Sequence, residues 1–223
     1  MTRRPTFSEQ RWPMDEESLV QAQRWAGEVA IHVLDWTWRA FDQLAAEHLS
    51  QVDLQRPLEQ LERDLTSKHF IQINRIWAKE TEGFSSLTPH HEFPENETRP
   101  PAPGKPPAYD LAFVWCENQR VAWPLEAKVV QAPGALANYM GDVQKFLSAT
   151  AAPLVGEGGQ IAYLLRGTAT EFFGELASRL NQRVEEVAPF QNRPHRASHH
   201  RRVFAPDLRL HHLVMHLREH NVP

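Results

Sequence analysis

The stretch YDLAFVWCENQRVAWPLEAKVV, residues 109–130, decides the fold of this chain. Two runs rich in β-branched and aromatic residues, YDLAFVWC and VAWPLEAKVV, flank the short polar segment ENQR. This pattern is typical of two antiparallel strands joined by a turn. The sequence therefore predicts a β-hairpin. Because Pro124 has no backbone N–H, we expect the second strand to be bulged or unpaired at that position.

Charged residues interrupt the second strand of this hairpin. Glu126 and Lys128 are two residues apart, so in a strand they project from the same face, while Ala127 faces the other way. Asp110 opens the first strand, and the short turn brings that opening end beside Glu126. Two carboxylates this close repel one another unless a hard divalent cation lies between them. Mg²⁺ keeps several of its waters, so two carboxylates and one backbone carbonyl are a sufficient site.

The segments around the hairpin alternate between helical and extended patterns. Apolar spacings of three and four predict long helices over 15–50 and from Pro57 to about Glu80. Further elements are predicted in this order: a short strand at 91–94, the hairpin, a helix over 135–150, a strand at 159–167, a helix over 170–180 and a last strand at 208–217. Helix, strands, helix and strand in this order indicate an α/β or α+β sandwich.

A carboxylate also lies inside the apolar stripe of the helix that Pro57 opens. The stripe consists of Leu58, Leu61, Leu65, Ile73 and Ile76. At about 100° per residue, Glu62 falls within the stripe, with Thr66 and His69 beside it. A charged side chain on the face that packs against the core is the second unusual feature of the sequence.

Composition excludes several classes of protein. The formal net charge is −4, so the chain cannot coat nucleic acid by charge alone, and any contact with a polyanion needs a local patch. Cys116 is the single cysteine and can form neither an internal disulfide nor a zinc knuckle. We expect no membrane span and no secretory signal, because neither a run of roughly 20 apolar residues nor an apolar leader is present. The expected location is the cytoplasm.

The two ends of the chain each leave two interpretations open. The first part of the chain carries four of the seven tryptophans, Trp12, Trp25, Trp36 and Trp38, which indicates either core packing or an interface with a partner or a second copy. Residues 193–220 hold six arginines and seven of the 12 histidines. This segment is either a contact for phosphates or a solvated edge strand.

The hairpin motif resembles that of the PD-(D/E)XK nuclease superfamily. In that family an acid opens one strand, and an acid-any-lysine triplet follows in the next; here these are Asp110 and Glu126-Ala127-Lys128. Tyr109 stands where the family name has proline. The family core runs helix, three strands, helix, strand, which the predicted order matches from about residue 58 to 166. The resemblance implies an α/β restriction-endonuclease-like domain over 57–223, which includes the basic C-terminal segment, and an N-terminal helical extension over 1–56.

The resemblance also implies an activity and roles for single residues. It implies hydrolysis of DNA with Mg²⁺, or with Mn²⁺, held by Asp110, Glu126 and the Ala127 carbonyl, in the setting of restriction or anti-phage defence. Lys128 would orient the attacking water. Glu62 on the first helix would join the metal site, and Gln144, beside Lys145, would lie near the phosphate on the helix after the hairpin.

Other functions remain open from the sequence. The chain could be an interaction module that keeps the nuclease fold without catalysis, or a nuclease directed at RNA, as in toxins. A surface hairpin with a stray ion pair is the plainest alternative. Glu92 lies near the site only if its strand is the first of the core.

Overall fold

The structure, a computed structural model, describes residues 16–80, 86–95, 108–203 and 205–217. Its helices are α1 (Glu16–Glu47), α2 (Leu58–Glu80), α3 (Ala137–Leu147) and α4 (Ala169–Leu180), with short 3₁₀ helices at Leu49–Gln51 and Ala188–Phe190. Its strands are β1 (Leu87–Pro94), β2 (Ala108–Trp115), β3 (Ala122–Val130), β4 (Glu157–Leu164), β5 (Glu185–Glu186), β6 (His195–His200) and β7 (Leu208–His216). The fold is therefore mixed α/β. Within the described ranges, no helix combines the length and the apolar character needed to cross a membrane.

The strands form a sheet in the order β1-β2-β3-β4-β7-β6-β5. The predicted hairpin is confirmed, because β2 and β3 pair antiparallel from Leu111↔Leu125 onward. Strands β4 and β7 then add to β3 in parallel. Pro124 pairs with Ala112 in an unbroken register, so the expected bulge is wrong. The missing N–H of this proline is tolerated because the pairing with β4 begins only at Leu125.

Helices cover both faces of the sheet. Tyr163 of β4 contacts Phe41 of α1 and His69 of α2. Tyr139 of α3 contacts His212 of β7 and the ring of Phe172 in α4. Since side chains alternate along a strand, α1 and α2 lie on one face, and α3 and α4 lie on the other. The core fills both interfaces.

The tryptophans of α1 belong to the core of this chain. Trp25, Trp36 and Trp38 are buried, and the Trp25 ring stacks on Trp115 with 5.7 Å between centroids. Of the two interpretations of these residues, core packing is confirmed for the three that are described; Trp12 lies outside the described residues. A partner interface on α1 and the division into 1–56 and 57–223 stay predictions.

The histidine-rich end of the chain lies inside the sheet. The predicted last strand is confirmed as β7, which pairs with β4 on one side and β6 on the other. His211 and His212 are buried, so the alternative of a solvated edge strand is wrong. Strand β6, of sequence HRASHH, was not predicted, because it contains no β-branched or apolar aromatic residue.

Candidate metal centre

The site forms where β2 and β3 part. The described pairing of these strands stops at Leu111↔Leu125, whereas β3 continues along β4 as far as Val130. On the side that β2 leaves open, the N–H of Ala127 donates to Asp110 Oδ2 at 2.8 Å. The N–H of Val129 donates to Glu62 Oε2 at 3.1 Å. The two carboxylates take the place of a neighbouring strand along this edge.

Asp110 and Glu126 touch, as the short turn predicted. Glu126 is only 3% exposed, and its carboxyl shares a hydrogen bond with that of Asp110. Burial, followed by the negative charges of Asp110 and Asp142, raises the pKa of Glu126 well above its usual range. The charged form of Glu126 is therefore disfavoured at this position. The hairpin is buried rather than superficial, so the alternative of a stray surface ion pair is wrong.

Lys128 is held by two acids. Its Nζ lies 2.7 Å from Glu62 Oε1 and 3.3 Å from Asp142 Oδ2. Burial by itself would lower the pKa of Lys128, but the hydrogen bond to Glu62 and the charges of Asp142 and Asp110 outweigh it, and the pKa is raised. Lys128 therefore stays a charged ammonium beside the carboxylates.

Asp142 belongs to the site but was not predicted from the sequence, and Lys145 was named there only as the neighbour of Gln144. Asp142 lies on α3, is 4% exposed and accepts from Lys145 Nζ at 2.6 Å. Its position, three residues after Tyr139 and four before Phe146, puts an acid on the apolar face of the helix. An acid on the apolar face of a helix is the pattern that singled out Glu62 in the sequence, and the same pattern would have singled out Asp142.

Gln144 lies outside the cluster of charged residues. It follows Asp142 by two residues, or about 200° around the helix, and is exposed. Within the described part of the chain, no hydrogen bond connects it with Asp110, Glu126 or Lys128. The neighbouring Lys145 is the side chain that reaches the charged cluster.

A cleft leads to the open edge. It has a volume of about 300 Å³ and is lined by residues that include Glu62, Asp110, Arg63 and Glu92. Glu92 has a φ of 52°, in the left-handed region, and the β1–β2 register passes from His91 to Phe93 without it. The backbone therefore turns Glu92 out of the strand pattern, directly across from Asp110. Because β1 pairs with β2 of the hairpin and is the first strand of the sheet, Glu92 lies beside the site.

The residues present fit Mg²⁺. Among the described residues, no three His, Cys, Asp or Glu side chains form a ready cage. Asp110 and Glu126 supply two carboxylates, and a strand residue directs its N–H and C=O to the same side, so the Ala127 carbonyl faces the edge that Asp110 occupies. Gln160 neighbours Glu126 in the register, and its buried Oε1 has no hydrogen-bond partner within the described ranges. Mg²⁺ suits a site of three protein oxygens and several waters. Such waters can also bond to the unpartnered Oε1 of Gln160.

Comparison of the chain with protein-family models, with curated proteins and with solved structures finds no match in any of the three. The features that bear on function are therefore the hairpin motif and the contacts around Asp110, Glu126 and Lys128.

Proposed function

We propose that this chain is a Mg²⁺-dependent nuclease that hydrolyses phosphodiester bonds of DNA. The observation that carries the proposal is the contact of Asp110 with Glu126 where β2 and β3 part, with the ammonium of Lys128 beside them. The order α2, β1, β2, β3, α3, β4 is helix, three strands, helix, strand. Together, motif and order support a restriction-endonuclease-like core, and the resemblance supports a role in restriction or anti-phage defence.

Each residue of the site has a distinct task in this proposal. Asp110, Glu126 and the Ala127 carbonyl would hold Mg²⁺ or Mn²⁺. When bound, this ion polarises the phosphate and lowers the pKa of a water. Lys128 orients the attacking water and stabilises the negative charge that develops on the phosphate. Glu62 accepts hydrogen bonds from Lys128 and from the amide of Val129, so it acts on the site through these two groups rather than as a metal ligand.

The cleft and its charges suit an approaching polyanion only once a cation is bound. The acids Glu62, Asp110 and Glu92 repel phosphate, whereas the lining also includes the basic side chains of Arg63 and His91. A bound divalent ion reverses the sign at the bottom of the cleft. Both substrate binding and catalysis should therefore require the metal.

The test is cleavage of supercoiled plasmid by the purified chain in Mg²⁺ or Mn²⁺, with EDTA as the control. The inactive variant is Glu126→Gln, which keeps the shape of the side chain. The matched variant is Glu175→Gln, the same change at an exposed ion pair with Arg179 on α4. A structured RNA is assayed in parallel.

Nicking that needs metal, survives Glu175→Gln and disappears in Glu126→Gln supports the proposal. Cleavage of the RNA but not of the plasmid would transfer the site to an RNA-directed nuclease. Failure to cut either substrate, with calorimetry that finds no Mg²⁺ binding beyond that of Glu126→Gln, would overturn the proposal in favour of an interaction module.

A further inference from the structure

Asp142 is a buried carboxylate that links the two ammonium groups near the site. Its Oδ1 lies 2.6 Å from Lys145 Nζ, and its Oδ2 lies 3.3 Å from Lys128 Nζ. A charge that is 4% exposed is costly unless it is paired. Oδ1 is paired with Lys145. Oδ2 meets Lys128 as an ion pair and has no hydrogen-bond partner within the described ranges, so the contact with Lys128 is one of charge, and its role remains to be explained.

The second contact places Lys128 between two layers of the fold. Glu62 comes from α2 on one face of the sheet, and Asp142 comes from α3 on the other. Lys128 reaches the open edge of β3, where it meets both acids. Its ammonium thus contacts one acid from each helix layer, 2.7 Å from the Glu62 carboxylate and 3.3 Å from the Asp142 carboxylate.

Without the contacts to Glu62 and Asp142, the Lys128 ammonium has other carboxylates within reach. Asp110 on β2 lies at the same open edge as Lys128, and Glu126 is two residues from Lys128 on β3; both are carboxylates. A lysine bound to them would neutralise the metal ligands and would no longer face a water. The anchors therefore have a function besides satisfying charge: they keep Lys128 near the metal ligands but off them.

We propose that Asp142 is the positioning residue for Lys128 in the nuclease reaction. The inference rests on the proposed function, and it adds a residue that the hairpin motif does not contain. Asp142 touches neither substrate nor metal; it acts through Lys128. Lys145 completes the charge balance of Asp142 from the exposed side of α3.

A double-mutant cycle tests this role. Asp142→Asn should lower the turnover number for plasmid cleavage about 10- to 100-fold with little change in KM, because a misplaced catalytic group costs rate rather than binding. In a Lys128→Met background, the same change should cost nothing further. Asp142→Glu should recover part of the rate. An equal loss in both backgrounds would overturn the proposal, since a residue needed only for folding acts irrespective of Lys128.

Lys145→Met is the second arm of the cycle. It removes the other ammonium from Asp142 while Lys128 stays in place. Turnover should fall less than in Asp142→Asn. A loss as large as that of Asp142→Asn would mean that Asp142 acts through Lys145, which contradicts the proposal.

A measurement independent of activity separates this inference from the proposed function. The chain has five lysines, so the side-chain ammonium signals of ¹⁵N-labelled protein are few enough to assign by single lysine substitutions. The Lys128 ammonium should exchange its protons slowly in the wild type and in Glu175→Gln, and rapidly in Asp142→Asn. If the wild type cleaves nothing and binds Mg²⁺ no better than Glu126→Gln, but this difference in exchange appears, the nuclease proposal fails while the anchoring of Lys128 stands. Unchanged exchange in Asp142→Asn would overturn the anchoring itself.

Discussion

Two buried polar clusters lie on the same sheet and differ in whether the protein completes them. The acid cluster consists of Asp110, Glu126, Lys128 and Asp142 at the open edge of β3. The histidine cluster consists of His195, His211, His212 and Ser198 on β6 and β7. Both are withdrawn from water, and the rule that buried polar groups need partners applies to both.

The histidine cluster supplies its own partners. His195 Nε2 and His211 Nδ1 are 3.0 Å apart, and the two ring nitrogens of His212 meet Tyr139 and Ser198, each at 2.8 Å. Burial lowers the pKa of His195 to about 2 and that of His211 to about 3. The rings are neutral and hydrogen-bonded, so nothing further is required of them. The arrangement indicates a structural role.

The acid cluster is not complete in the same way. Burial and like charges raise the pKa of Glu126, while Lys128 and Lys145 balance only part of the negative charge. Gln160 beside it keeps a buried oxygen without a hydrogen-bond partner among the described residues. The difference teaches that burial of polar groups does not by itself mark a functional site. A functional site is marked by buried polar groups whose charges and hydrogen bonds the protein itself does not fully balance.

The largest expected effect is on the rate of cleavage. Lys128→Met should lower the rate about 100- to 1,000-fold at saturating Mg²⁺, because it removes a charge that stabilises the transition state. Initial rates of plasmid nicking measure this effect. A variant that keeps a third or more of the wild-type rate would remove Lys128 from the proposed chemistry.

A smaller effect is expected from the metal on stability. At 100 times its dissociation constant, Mg²⁺ should raise the free energy of unfolding by about 2.7 kcal/mol. Asp110→Asn should lose this response, and without metal it should be more stable than the wild type, since repulsion from Glu126 is relieved. Urea unfolding with and without Mg²⁺ measures both quantities. An equal metal response in Asp110→Asn would contradict the assigned ligands.

Acid should weaken the protein through its buried histidines. His69 is fully buried between Tyr163 and the Thr37 carbonyl, and burial lowers its pKa to about 4, against about 6.5 in the unfolded chain. The unfolded state therefore binds more protons below pH 6.5, so the stability is complete above that value and falls as the pH drops towards 4. At pH 5 the loss from His69 alone is about 2 kcal/mol.

Urea unfolding at pH 8, 6.5 and 5 gives this slope directly. The variant His69→Gln should show a shallower fall than the wild type. Stability that stays constant or rises between pH 8 and 5 would show that these rings are not held neutral.

The smallest expected effect concerns the centre of the histidine cluster. Ser198 Oγ lies 2.7 Å from His200 Nε2 and 2.8 Å from His212 Nε2. Ser198→Ala should lower the free energy of unfolding by about 1 kcal/mol, which is typical for a lost hydrogen bond, and should leave the cleavage rate of the folded protein unchanged. A large loss of rate at full stability would mean that the two clusters are functionally connected.

Local patterns account for much of the fold and for the centre of the site. Two runs of β-branched and aromatic residues around a short polar segment in residues 109–130 predicted the hairpin, and the length of its turn predicted the contact of Asp110 with Glu126. Periodicity predicted the four helices to within a few residues of their ends. Glu62 was found because a charge inside an apolar stripe is visible in the sequence.

Other features depend on long-range contacts and could not be predicted in this way. Strand β6 has no local strand signal and forms because β7 offers an edge to pair with. Glu92 adopts its left-handed backbone between two paired stretches of β1. Gln144 was chosen from the resemblance, and the turn of α3 carries its side chain away from the cluster.

The sequence by itself determined the four helices, the hairpin and the types of side chain that carry the chemistry, because periodicity and turn length act between residues close in the chain. Only the tertiary structure decided that α2 and α3 approach β3 from opposite faces, so that Glu62 and Asp142 hold Lys128 between them. It also decided that HRASHH, a segment without a local strand signal, becomes a strand and that His211 and His212 are buried. These outcomes depend on how separate elements pack, and the free energy of packing is not encoded in any one local pattern.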